Sequence, residues 1–408
     1  MKVKKILIIL LVIVITAFFL TNFSSIYTID DYAYVIAMGL DNSDDSNLIL
    51  SLQIAIPAGS SKGSESSSSQ SSSSIVSTVK CKNINGGVNL INDYLGQKLN
   101  LSYCKAMVFS EDIAKKGIGN YICTATNDIE IRPSCDIIVS KCSALDYITN
   151  SKPLLENLSS KYYEIASSSQ KDTGLTRTIS LMSFYNRYYD SLCEPYAPLS
   201  SIEESNGGDS SSSSGGNSES SSKKDVEKDN ANAKIKNQGL AIFKDDKLIG
   251  EISREETLCY MLVSGKLKDA VINVPSPFED ADYVSLNISS VHSKNKVEIK
   301  NGTPFITCNI SLSARVLSST KTSNYLSKEN SLALEYATNS YLNANITDFL
   351  YKTSKELKSD FIGFGRNAVR SFKTMDDWKN YDWLNKYQNS EFNVNVNTTV
   401  KSSYLLIG

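Results

Sequence analysis

Two serine-rich runs, Gly59–Ser74 and Ser205–Ser222, interrupt this 408-residue chain. Neither carries enough apolar surface to offset the cost of ordering it, so a core must be built from the stretches between them. The first run is flanked by strand-like Leu48–Pro57 and by Ile75–Lys80, where apolar and polar residues alternate again. It reads as a long mobile loop, residues 59–74, inside one domain. The second run is followed by the charged stretch Lys223–Lys236 and separates two long structured regions, so it reads as an interdomain linker over 201–236. The expected division is an anchor at 1–25, an N-terminal region at 26–200, the linker, and a C-terminal α+β domain at 237–408.

Lys2, Lys4 and Lys5 precede an uncharged run, Ile6–Leu20, rich in Ile, Leu and Val. This is the pattern of an export signal or a membrane anchor. Extended to Phe23, a helix over the run spans about 27 Å, close to a hydrocarbon core of about 30 Å. No small-residue cleavage site follows, and the first cysteine is Cys81. Residues 1–25 therefore read as an uncleaved tether, with the lysines in the cytoplasm and the remaining residues outside.

Forty-two basic residues face 44 acidic ones. A nucleic-acid binder shows a basic stripe, so that partner is not expected. The single histidine, His292, rules out multi-histidine metal sites and leaves no convincing nucleophile–base pair. The eight cysteines include no C-x-x-C. Most read as buried free thiols, small apolar groups in apolar segments. Gly59–Gly63 matches G-x-S-x-G, but a flexible tract supplies neither the strand nor the helix of a nucleophile elbow. No cofactor site and no enzyme activity are expected.

Tyr34–Leu40 and Leu48–Ile56 read as paired strands, Ile84–Leu95 as a helix, and Lys105–Phe109 and Cys135–Val139 as strands. Ser110 opens a helix with Glu111 and Asp112 in its first turn. Gly239–Phe243 and Leu248–Ile252 form a hairpin. Ser253-x-x-Glu256 is a capping box, and Asn301-Gly302 is a type I′ turn signal. Leu342, Ile346, Phe349, Leu350, Thr353 and Leu357 share one face of a helix over about Ser331–Ser359. The strands Gly239–Ile252 and Phe305–Val316 are the surface expected to cover it. The irregular mixing of elements reads as an α+β, multi-domain protein: mixed sheets with packed helices behind an N-terminal membrane anchor.

The order of motifs resembles the Ger(x)C spore-germination proteins, the C subunits of nutrient germinant receptors. Ile29–Asp41 resembles the family's opening segment ending in G-x-D, here Gly39 and Asp41. Gln53 and Pro57 match a Q-x-x-x-P strand end. Glu111, Ala114 and Gly117 fit E-x-x-A-x-x-G, and Asp128, Glu130 and Arg132 fit D-x-E-x-R. Gly239, Phe243 and Gly250 lie in the hairpin resembling the opening of the family's C-terminal domain. Asp360-Phe-Ile-Gly363-Phe-Gly365, followed by Trp378 and Trp383, is the most specific match. The resemblance implies a non-enzymatic subunit on the outer side of the spore inner membrane, working with integral-membrane A and B subunits. It carries no catalytic residue. The lipobox cysteine usual in the family is missing from Leu20–Ser25, which closes lipid attachment there and leaves a protein tether.

Each motif residue also has a plainer reading. Asp41 can bind backbone N–H groups at a strand end. Glu111 suits a first helical turn, and Arg132 an internal ion pair. Gly363 and Gly365 suit a helix break at positive φ. Trp378 and Trp383 suit the core, and His292 the surface. The alternative function is a membrane-anchored extracellular solute-binding protein, which would need a cleft between two lobes.

Overall fold

A computed structural model of the chain describes residues 2–21, 31–43, 47–56, 74–151, 159–168, 173–203, 234–278, 282–319 and 327–401. Pro57 and the G-x-S-x-G match lie outside the described residues. Helix α1 (Lys2–Thr21) leaves Ile6 to Ile15 between 47% and 66% exposed. Three lysines occupy its first turn. Among the described residues, no helix is long and apolar enough to cross a membrane.

The first sheet draws on β1 (Tyr32–Asn42), β2 (Leu48–Ala55), β3 (Ser74–Cys81), β4 (Lys98–Asn100), β5 (Ala106–Ser110), β6 (Asp136–Ser140), β7 (Ile179–Ser180), β8 (Tyr196–Glu203), β9 (Lys234–Lys244) and β10 (Lys247–Ile252). Its order is β10-β9-β8-β6-β5-β1-β2-β3, with β4 on β1 and β7 on β6. Strands β8, β6, β5 and β1 run parallel in the middle. The connections between them carry α2 (Ile84–Leu95), α3 (Glu111–Lys116), α4 (Gly119–Asn127), α5 (Ala144–Asn150), α6 (Ser159–Ser168) and α7 (Leu181–Tyr189).

Helices cover both faces of this sheet. Met107 and Phe109 of β5 join one core with Ile113 and Ile122, while Ala106 and Val108 join another with Ala144, Tyr147 and Tyr163. That is why β5 is buried throughout and shows no alternation. The first serine run joins neighbouring antiparallel strands, since Ala55 pairs with Ser74.

The second sheet has the order β11-β12-β13-β14: β11 (Asp269–Pro275), β12 (Tyr283–Lys300), β13 (Thr303–Ser319) and β14 (Glu391–Lys401). Strands β12 and β13 meet at Asn301-Gly302, both at positive φ (52° and 82°), as a type I′ turn requires. Helix α8 (Arg254–Val263) starts at the capping box on Ser253 and Glu256. Helix α9 (Lys328–Tyr351) buries Leu342, Ile346, Phe349 and Leu350 and runs into a π-helical turn over Lys352–Glu356.

Helix α9 also closes an open strand edge. Asn343, Asn339 and Glu335 accept the backbone N–H groups of Val396, Thr398 and Val400 at 3.1, 2.8 and 2.7 Å. Four helical residues rise about 6 Å and two strand residues about 6.6 Å, so the two periods stay in step. These three N–H groups of β14, on the side away from β13, thus find partners, and the edge is blunted there.

One expectation about topology needs correcting. The hairpin Gly239–Ile252 does not lie under the long helix with Phe305–Val316. It extends the first sheet, with β9 antiparallel to β8 and Leu199 opposite Gly239. The physical reason is burial on both faces: Gly239 to Phe243 are all buried, which a sheet covered on one face cannot provide. The segment 201–236 consequently starts and ends on paired strands, with Ser201 opposite Lys236 and Glu203 opposite Lys234. It does not run from one sheet to the other. A single contiguous core then reaches from β1 to β14.

Candidate functional site

The motif Asp360–Gly365 sits where the two sheets meet. After the π-helical turn the chain passes Lys358 (φ 50°) and enters a tight loop that ends in α10 (Gly365–Ala368). The Asp360 carboxylate is fully buried. One oxygen accepts the N–H groups of Gly363 and Phe364 at 2.8 and 3.0 Å, and the other accepts Gly365 N–H and Trp383 Nε1–H at 2.8 Å each. Successive backbone N–H groups form a nest around the charge. Two donors on each oxygen fill its acceptor capacity, which leaves none for a ligand. Burial pushes the Asp360 carboxyl up to about 6, against the pull of those four donors, so it is ionised at neutral pH.

Helix α7 reaches the same point from the first sheet. Arg187 is buried and donates to the carbonyls of Glu194 and Phe361 at 2.8 and 2.9 Å. Its guanidinium lies 4.9 Å from the ring centre of Tyr196. Glu194 N–H donates to Asp360 O at 3.0 Å, and Ser359 Oγ donates to Phe243 O at 2.9 Å. The Glu194 carboxylate accepts Asp245 N–H at 2.9 Å, and burial pushes it up to about 7. Around these bonds pack Phe184 on Phe243, Tyr260 on Phe361, and Trp378 on Trp383, at centroid distances of 5.1, 5.7 and 5.9 Å. Trp378 lies in α11 (Met375–Tyr381) and donates Nε1–H to Ser191 Oγ at 3.0 Å. Chemically this is a lock between two sheets. All its charges are buried, and the donors around Asp360 and on Arg187 are engaged.

The family model described as "Spore germination protein N-terminal domain" matches residues 26–202, and the one described as "Spore germination B3/ GerAC like, C-terminal" matches 238–404. The chain belongs to the Ger(x)C family of spore germination proteins. This Ger(x)C chain is similar to putative spore germination protein YfkR of Bacillus subtilis (strain 168), at 22% identity over 93% of this chain and 92% of the relative. It is also similar to spore germination protein KC of the same organism, at 24% over 85% and 84%. With spore germination protein GerQC of Bacillus cereus the figures are 20% over 75% and 76%. The crystal structure of the GerBC protein shares its fold, with a TM-score of 0.51 over 89% of this chain and 96% of that one at 13% identity.

The other Ger(x)C motif residues fall into three places. Gly239, Phe243, Gly250 and Gly117 gather near the lock. A Cβ on Gly239 (φ +126°) would lie 2.0 Å from Ile252 O, and one on Gly250 2.6 Å from the Leu357 side chain. Gly117 is close to Asp246, whose carboxylate accepts Gly119 N–H at 3.1 Å. Gly39, Asp41 and Gln53 lie farther along the first sheet. Asp41 accepts the N–H groups of Ala144 and Leu145 at 2.7 and 3.0 Å, and Gly39 lets α5 approach β1. Gln53 bridges Tyr163 and Ser74. Glu111 stands beside Asp41, the two lining a cavity of about 320 Å³, while Arg132 is apart from both groups. Glu111 pairs with Lys115 within α3, and Arg132 is exposed, with no ion pair of the internal kind among the described residues.

The two loop glycines do different work, which corrects the expectation of positive φ at both. Gly363 has φ +94°, whereas Gly365 has no positive φ and is required by space: a Cβ there would lie 2.2 Å from Leu192 O. Arg187, Glu194 and Ser359 were not singled out from the sequence. A signal existed for Arg187, which follows Phe184 by three residues on the buried face of α7. A charge on an apolar stripe needs a buried partner. All eight cysteines are free thiols and six are buried; His292 is exposed.

Proposed function

We propose that this chain is the non-enzymatic C subunit of a nutrient germinant receptor, tethered to the outer side of the spore inner membrane. It acts by protein–protein assembly with integral-membrane A and B subunits. The observation that carries the reading is the pair of family matches, which together take in residues 26–202 and 238–404. The motif residues then serve as the frame of an assembly surface, since the most specific of them are buried in a lock and hold no free valence. In this reading the described parts of 26–200 and 237–408 work as one unit behind the tether at 1–25.

The tether rests on α1. An exposed apolar run of that kind calls for a cover, and lipid suits its lysine-first polarity. The uncharged part of α1, Ile6–Thr21, covers about 24 Å of a hydrocarbon core of about 30 Å. Two measurements test the proposal. Removing the coding region should abolish the response of spores to the cognate nutrient, and the tagged chain should co-purify with polytopic partners from spore membranes. An intact nutrient response, or a chain that extracts alone, contradicts the assembly reading. N-terminal sequencing that starts near Ile26 contradicts the uncleaved tether.

A further inference from the structure

A cleft of about 680 Å³ opens between α8, α9 and β11, and Phe349 of its floor packs on Phe361 of the lock at a centroid distance of 6.2 Å. Its floor is apolar, formed by Leu258, Leu262, Ile272, Leu342 and Phe349. Four carboxylates line it, from Glu255, Glu256, Asp348 and Glu356, against one ammonium, Lys352. That ammonium is already engaged: Lys352 Nζ donates to both carboxylate oxygens of Glu256 at 2.8 Å. Glu255 accepts Ser253 Oγ–H at 2.8 Å, which leaves its charge in place. Among the described residues the lining holds no other cation; Arg254 acts on Glu255, so the charges of Asp348 and Glu356 are the two that stand uncompensated over an apolar floor.

We propose that this cleft binds a small organic cation, an ammonium group on an apolar body. The ammonium would sit on one rim carboxylate, Asp348 or Glu356, which stand about 12 Å apart along the helix with Lys352 between them, and the body on the apolar floor. The volume falls in the small-molecule range of about 300–1,000 Å³, and a few polar groups over an apolar floor are what orient such ligands. Charge sets the class. An anion meets surplus carboxylates. A zwitterion brings a carboxylate for which no free donor cation remains, and pays its desolvation without return. The inference is independent of the receptor assembly proposed above.

The test uses the full-length chain in neutral detergent and three probes with one body: 2-phenylethylamine, 2-phenylethanol and L-phenylalanine. Calorimetry should give the amine an affinity at least about tenfold above both the alcohol and the zwitterion, since a charge-assisted contact contributes about that much. Asp348→Asn with Glu356→Gln should weaken the amine about tenfold or more and leave the alcohol unchanged. Both positions are exposed, so this variant keeps the parent's denaturation midpoint. An amine that binds no tighter than the alcohol overturns the proposal. So does an acid-free rim that binds it equally well.

Discussion

Gly365 and Gly363 stand two residues apart and should respond to the same substitution by different amounts. A methyl group on Gly365 would be placed 2.2 Å from Leu192 O and 2.7 Å from Trp383 Nε1, both below any real contact. Its backbone needs no relief, so the whole cost is steric. Overpacking of this kind costs about 1–3 kcal/mol. If Trp383 moves to make room, its 2.8 Å bond to the Asp360 carboxylate is lost, at about 1.5–3 kcal/mol more. Gly365→Ala should therefore lose roughly 3–5 kcal/mol. At Gly363 the added methyl meets nothing closer than 3.7 Å, and only the positive φ is strained, at about 1–2 kcal/mol. Urea denaturation followed by tryptophan fluorescence is the appropriate assay, because the chain's two tryptophans, Trp378 and Trp383, both report from this junction. Equal losses in the two variants, or a larger loss at Gly363, would refute the steric account.

Stability should fall as pH rises through the window in which Glu194 titrates. Its folded pKa is raised from 4.5 to about 7, so the folded chain holds a proton that the unfolded chain has released. The linked loss between about pH 4.5 and 7 is roughly 3 kcal/mol, and Glu194→Gln should reduce the slope in melts at pH 5 and 8 without abolishing it, because Asp360, raised to about 6, loses stability over an overlapping range; a parallel slope in the variant speaks against it. Asn339→Ala should cost about 1–3 kcal/mol by stranding Thr398 N–H, measured by urea midpoint, whereas a neutral result means water replaces the side chain. Deleting Gly63–Ser72 should move the midpoint little, because loop closure changes by about 0.6 kcal/mol per doubling of length. Loss of a cooperative transition would show that the run is structural.

What could be read from residues was whatever repeats or caps locally. Ile84–Leu95 is a helix at the bounds its spacing gave, Asn301-Gly302 turns a hairpin, and Ser253 with Glu256 caps α8. The stripe from Leu342 to Leu350 is buried as its period requires. Partner choice was less legible. The hairpin Gly239–Ile252 carries no mark in its own residues that its neighbour is β8, across a segment rich in serine. The lock was half legible. Asp360, Gly363 and Trp378 stood out as a motif, but Arg187 and Glu194 lie far off in sequence and hold it through backbone carbonyls, which leave no pattern. The steric demand at Gly365 comes from Leu192 O, a contact that only the folded chain creates.

The pairing of β8 with β9 means that the backbone between Glu203 and Lys234 is not needed to bring the two halves together. Eight register pairs from Tyr196–Ile242 to Glu203–Lys234 specify that seam by themselves. The protein should accordingly work as two polypeptides. Residues 1–203 and 234–408, co-expressed, should find each other through strand addition and re-form the ten-stranded sheet. Each piece alone exposes an unpaired edge and should self-associate. The covalent link supplies only effective concentration, so a cargo or a protease site placed within it would leave the seam intact.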